Sequence, residues 1–314
     1  MNNKKLWGDK RFYSLDYYLK EQFGRKIYKL SLNGGMTCPN RDGTLGTQGC
    51  IFCSSGGSGD FTPSARLTIT EQIEEAKQRV GYKMPANSDT PITTGQYIAY
   101  FQAYTNTYGD AAYLRGIFTE AVSNPDVVAL SIATRPDCLG IDILDLLQEL
   151  NNKKPVWIEL GLQTIHETTA AFIRRGYSFS CFDDAVAELN RRKLAVIVHV
   201  IIGLPGENVS DIFKTVSCVS SMSIQGIKLQ LLHILRDTDL ASYPFHVLTL
   251  EEYTDILISC LEIIPQNIVI HRITGDGPRK LLIAPLWSTD KKNVLNRINR
   301  ELKSRDTWQG KYAT

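Results

Sequence analysis

Short apolar runs alternate along the chain with longer stretches in which apolar residues recur every three to four positions. Residues 27–32, 97–101, 127–132, 156–160, 195–202, 226–232 and 268–270 are rich in β-branched and aromatic side chains and predict strands. Residues 70–80, 111–122, 141–150, 181–192, 209–220 and 249–263 carry the helical spacing, and the last opens on a capping-box pattern, Thr249-Leu-Glu-Glu252. Strands and helices in alternation predict parallel strands joined by right-handed crossovers, with helices covering the sheet. Six or seven such units suit an α/β fold, a full or partial (β/α) TIM-like barrel; a doubly wound open sheet is the other arrangement. No G-x-G-x-x-G follows the first strand and no G-x-x-x-x-G-K-[ST] occurs, so the usual nucleotide cradles are missing. Neither repeats nor low-complexity linkers divide the chain. The expected organisation is a basic N-terminal extension over residues 1–26, a barrel over 27–265, and a C-terminal strand and basic helix over 266–314 packed on the barrel.

A barrel carries its chemistry at the C-terminal ends of its strands, and the polar residues gather there. The first strand is followed by a glycine-rich loop with Cys38, Cys50 and Cys53; the second by Gln102; the third by Arg135 and Asp137. The fourth holds Glu159 and leads to Gln163, the fifth holds His199 and ends in Gly203-Leu-Pro205-Gly-Glu207, and the last two lead to His233 and to His271-Arg272-Ile-Thr-Gly-Asp276. A charged group at a strand end inside a barrel mouth is costly unless it meets an opposite charge, so Arg135 and Arg272 are candidates for holding an anion, with Asp276 as a possible ion-pair partner. His199, in mid-strand, reads as a satisfied core histidine.

Length and composition narrow the picture further. The 314 residues can bury an ample core, and 43% hydrophobic with 22% charged residues is the balance of an ordinary globular protein. The longest apolar stretch, residues 194–205, is interrupted by His199 and is too short to cross a bilayer, and no apolar signal-peptide core follows the start. A cytoplasmic protein without membrane partners is expected, in which clustered thiols bind metal or do catalysis instead of pairing. The net charge of +2 is unevenly spread: residues 1–31 hold eight Lys/Arg against three acids, and residues 279–314 hold nine against three. Basic ends suit a phosphate-rich partner such as tRNA; solvated helix faces are the plainer reading.

Three thiolates in a glycine-rich loop can hold three irons of a four-iron cluster and leave the fourth iron open to an external ligand. A structural zinc is the rival, because C-x-x-C is half of a zinc knuckle, but zinc prefers four closed ligands and no fourth stands nearby in the sequence. Unliganded thiols are the third reading. Cys138, Cys181, Cys218 and Cys260, in or beside the expected helices, read as small buried hydrophobes.

Several longer motifs carry a resemblance. Phe12-Tyr-Ser-Leu-Asp-Tyr-Tyr-Leu19, Cys38-Pro-Asn-Arg-Asp-Gly43 through Cys53-Ser54, Gly57-Ser-Gly-Asp60, Tyr100-Phe-Gln-Ala-Tyr-Thr-Asn-Thr-Tyr108, Ser131-Ile-Ala-Thr-Arg-Pro-Asp137, Glu159-Leu-Gly-Leu-Gln-Thr164, Gly203-Leu-Pro-Gly-Glu207 and His271-Arg-Ile-Thr-Gly-Asp276 span nearly the whole chain. Together they resemble the YhcC/YtqA-type radical S-adenosylmethionine (SAM) proteins, relatives of the radical SAM domain of the Elongator catalytic subunit. The eleven residues between Cys38 and Cys50 exceed the commonest radical SAM spacing of three, but a long first gap is similar to this family and its Elongator relatives.

The resemblance implies a radical SAM barrel, a 4Fe-4S cluster on Cys38, Cys50 and Cys53, and SAM as its external ligand. It implies Phe52 and, at the end of the fifth strand, Gly203 and Pro205 near the adenine, Gln102 near the methionyl end, and Glu159 and Gln163 near the ribose. It further implies a tRNA partner, modification of the C5 side chain of the wobble uridine by conversion of 5-carboxymethylaminomethyl to 5-aminomethyl uridine, and an electron donor such as flavodoxin or ferredoxin. Arg135 or Arg272 would hold the carboxylate being lost. Acetyl-CoA-dependent chemistry is not expected. Two other readings stand beside this one: radical SAM chemistry on a small-molecule or protein substrate, and a zinc-stabilised RNA-binding module without catalysis.

Overall fold

The computed structural model describes residues 2–81, 96–275 and 277–313. In chain order its helices are α1 (Leu15–Phe23), α2 (Ile69–Gly81), α3 (Ala111–Ser123), α4 (Ile141–Asn151), α5 (Glu167–Phe172), α6 (Phe179–Arg191), α7 (Val209–Ser220), α8 (Leu250–Ile263) and α9 (Lys291–Ser304). Its strands are β1 (Tyr28–Leu32), β2 (Tyr97–Phe101), β3 (Val127–Thr134), β4 (Val156–Gln163), β5 (Ala195–Ile202), β6 (Gly226–Leu231), β7 (Ile234–Leu235), β8 (Val269–Arg272) and β9 (Leu282–Ala284).

Seven strands form one parallel sheet in the order β1-β2-β3-β4-β5-β6-β8, and β7 pairs antiparallel with β9 outside it. Each main strand joins its neighbour in sequence order, as an incomplete barrel requires and a doubly wound sheet does not. The strands read as nearly continuous apolar runs because both of their faces are covered; all five residues of β2 are buried. The outer face meets an extensive core to which α2, α3, α4, α6, α7, α8 and α9 contribute. Asn208 and Asp211 close a reciprocal cap at the start of α7, and Thr249 and Glu252 do the same for α8.

The N-terminal end of the barrel is stoppered from within. Leu19 of α1 packs with Ile27, Ile98, Ala129, Trp157 and Ile197, with Leu15 and Tyr18 beside them. The segment before α1 runs along β8, where the Ile270 N–H donates to the Tyr13 carbonyl at 2.7 Å. It is also tied to the far end of the chain. Asn2 N donates to the Lys311 carbonyl, Tyr13 N to the Gln309 side chain, and Lys4 and Arg11 both reach Asp306. The fully buried Gln309 amide donates in turn to the carbonyls of Pro265 and Ile268, so one side chain brackets three segments. Among the described residues no helix is long and apolar enough to cross a membrane.

Candidate active site

At the C-terminal ends of the strands lies a cavity of ~270 Å³. Cys38, Cys50, Cys53, Phe52, Gln102, Arg135, Glu159, Gln163 and Arg272 all line it. Gly203 and Pro205 do not: Gly203 borders a separate small apolar crevice with Leu232 and Leu248, and Pro205 is buried. Asp276 lies outside the described residues.

The cysteine loop is held in shape by side chains of its own sequence. Asn40 donates to the Arg174 carbonyl at 2.6 Å and to the Cys50 sulfur at 3.5 Å. Arg41 folds back onto the carbonyls of Cys53 and Ser54, passing so close to Gly49 (φ 74°) that an added Cβ would lie 2.9 Å from its Nε. The next turn packs beneath the end of β2: Gly57 (φ 54°) lies against the Tyr104 ring, and Gln102 donates to the Ser58 carbonyl at 2.8 Å. A hydrogen bond from Cys53, helped by Asn40, Arg135 and Arg41, outweighs burial and brings the Cys50 thiol down to about 7, while the same bond together with burial pushes Cys53 up. Arg135 grips Asp137 through two nitrogens at 2.9 and 2.7 Å and lies 4.0 Å from the Cys38 sulfur. Tyr177 stands between the guanidinium groups of Arg135 and Arg175, each 4.9 Å from its ring.

The donor set suits a cluster. Three thiols border one cavity in a loop that glycines allow to fold tightly, and thiolates are the ligands that iron-sulfur clusters take. Among the described residues no three His, Cys, Asp or Glu side chains are arranged to hold a single metal ion.

Deeper in the barrel Glu159 and His199, both singled out in the sequence, meet Lys29 and Lys228, which sequence reasoning left out. Glu159 has no exposed side-chain surface. Lys29 donates to its Oε1 at 2.5 Å and Ser131 to the same oxygen at 2.7 Å; Lys228 pairs with Oε2, and His199 Nε2 donates to it at 2.9 Å. A carboxylate only accepts, so the neutral imidazole carries its proton on Nε2, while Gln230 donates to Nδ1 at 3.2 Å. Tyr100 lies between the two ammonium groups, 4.7 Å from Lys29 and 4.8 Å from Lys228. Burial would raise the Glu159 carboxyl, but Lys228, Lys29 and the His199 bond hold it well below the usual range. Burial lowers His199 to about 4, with Lys228 adding to it. The sequence signal was a lone lysine inside an apolar strand, at Lys29 and again at Lys228; the register Gly161–His199–Lys228–Arg272 across β4, β5, β6 and β8 gives it meaning.

The β4 end is irregular. The ladder slips between Gly161 and Gln163, and Gln163 takes φ 66°, a conformation uncommon outside glycine. Tyr177 holds this bend by donating to the Gly161 carbonyl at 2.7 Å, with the Gln163 side chain 3.4 Å away. Strain at a cavity wall is a mark of functional positions.

Known proteins bear on this geometry. A model of the radical SAM superfamily matches residues 43–219, and a model of the radical SAM C-terminal domain matches residues 224–304. The uncharacterised protein YtqA of Bacillus subtilis is 43% identical over 308 residues, 97% of this chain and 93% of that protein. The tRNA uridine(34) acetyltransferase of Methanocaldococcus jannaschii is 25% identical over 163 residues, 50% of this chain and 30% of its own length. The structure of Elp3 from Methanocaldococcus infernus superposes with a TM-score of 0.63 at 16% identity, over 90% of this chain and 64% of that one, and shows the shared fold.

Proposed function

The chain belongs to the radical SAM superfamily, and from that premise we propose that it acts on the C5 side chain of a tRNA wobble uridine, converting 5-carboxymethylaminomethyl to 5-aminomethyl uridine. It is a radical SAM enzyme, with the 4Fe-4S cluster and SAM of that family as cofactors, so the non-catalytic zinc reading is set aside. Cys38, Cys50 and Cys53 would hold the cluster. Phe52, Gln102 and Gln163, which line the cavity, would border SAM, and SAM would supply a deoxyadenosyl radical for hydrogen abstraction.

The observation that carries the substrate reading is the set of polar and cationic side chains, Lys228, Arg272 and Gln230, in the lining of the cavity that the cysteines border. Such a site suits a substituent that ends in an anion. Arg135 is committed to Asp137 beside the cysteine loop, so holding the carboxylate falls to the cations deeper in. An unpaired wobble base is the part of a tRNA that can turn into a pocket without breaking a helix. The relative that modifies tRNA uridine 34 and the basic ends of the chain point the same way. A reductant such as flavodoxin or ferredoxin would supply the electron.

Reconstituted, chemically reduced protein should be incubated anaerobically with SAM and with tRNA from cells lacking the enzyme. Deoxyadenosine together with loss of carboxymethylaminomethyl and gain of aminomethyl uridine, read by mass spectrometry, is the expected result. Deoxyadenosine with unchanged tRNA would overturn the substrate and direct the search to small molecules or proteins.

A further inference from the structure

Among the described residues, two ammonium groups deep in the barrel share one carboxylate. Lys29 and Lys228 both stand on Glu159, so among the described residues these two cations meet a single negative charge. A surplus charge in a desolvated place is costly unless an anion comes to meet it. Lys228 is 4% exposed and lines the cavity, whereas Lys29 does not border it. Lys228 therefore presents the surplus.

We propose that the Lys228 ammonium is the docking point for a substrate carboxylate. That the carboxylate belongs to the carboxymethylaminomethyl group rests on the wobble-uridine reading; the charge of the site does not. Lys228 and His199 stand in mid-strand on β6 and β5, whereas the cysteine loop lies beyond the end of β1. The subsite is thus deeper than the place where SAM meets the cluster, and it takes a second molecule.

Docking has a proton signature. The groups facing Lys228 are Lys29 from β1, Tyr100 from β2, Glu159 from β4, His199 from β5, and His271 and Arg272 from β8. Burial, with Lys29 and Arg272 opposing the pull of Glu159, brings Lys228 down to about 7. The cost of the shared negative charge thus falls on the Lys228 proton, and an arriving carboxylate that holds the ammonium in place draws a proton from the buffer.

The test uses cluster-loaded protein with SAM and no reductant, so that nothing turns over. Binding of 5-carboxymethylaminomethyluridine and 5-aminomethyluridine nucleosides is measured by calorimetry at pH 7.5 in two buffers of different ionisation enthalpy. The carboxylate nucleoside should bind at least about tenfold tighter and take up a proton. Lys228→Met should bring the preference to within about twofold and abolish uptake, while Lys228→Arg should keep the preference without uptake, because arginine never loses its proton. Equal binding of the two nucleosides by the unaltered protein, or binding without proton uptake, overturns the proposal even if the variants fail to fold. Turnover of tRNA that is indifferent to Lys228→Met also sinks the subsite and leaves the wobble-uridine reading standing. A Lys228-dependent carboxylate preference with no tRNA product keeps the subsite and removes that reading.

Discussion

Glu159 remains ionised with no exposed side-chain surface because two ammonium groups, a hydroxyl and an imidazole all converge on it. His199 is held neutral by the same surroundings, and this has a consequence for stability. An unfolded chain takes up a proton on this histidine near 6.5, whereas the native imidazole waits until about 4. Acid therefore favours the unfolded form, and stability is lost as pH falls below the unfolded value. Between pH 7 and pH 5 the loss from this residue should be about 2 kcal/mol. Denaturant midpoints for the protein and for His199→Gln at the two pH values check this: the variant should lose that much less stability on acidification. Equal losses would mean that the imidazole is not held neutral by its neighbours.

Among the elements, α1 matters out of proportion to its nine residues, since it closes the N-terminal end of the barrel from within. Leu19→Ala should cost about 2–5 kcal/mol and lower the melting temperature, because the strand residues it touches are fixed by the sheet and cannot collapse into the gap. A drop well under 1 kcal/mol would show that the stopper is loose. The sequence did not reveal α1, which buries only Leu19 and whose tyrosines favour strand over helix. By contrast, β2 and β5 were legible to the residue, since strands covered on both faces read as unbroken apolar runs, and α7 was marked by clear periodicity. Two- and three-residue strands such as β7 and β9 are too short to show a period. The cysteine loop was legible because thiol spacing is local. The Lys29–Glu159–Lys228 group was not, since it is assembled from three strands whose register no single stretch of sequence contains.

At the scale of the molecule the two basic ends form one surface. Lys4, Arg11 and Lys311 meet around Asp306, and Lys4 and Lys311 lie 5.8 and 5.1 Å from the Trp308 ring. Lys291, Lys292, Arg300 and Lys303 extend it as exposed side chains of α9, whose Val294, Ile298 and Leu302 face inward. If tRNA docks there, reversing Lys4, Lys303 and Lys311 to Glu should weaken binding uniformly across tRNAs. It should also flatten the dependence of log Kd on log salt by about one for each phosphate contact removed. An unchanged slope would place the RNA elsewhere on the surface. The joining of the two ends also sets a timetable for synthesis. The backbone of Tyr13 waits for a partner 296 residues later, a delay on the order of 15–60 s at 5–20 residues per second. Until Gln309 leaves the ribosome, the Tyr13 N–H and the carbonyls of Pro265 and Ile268 wait without their side-chain partner, so the segment before α1 can be locked in place only after synthesis of the far end.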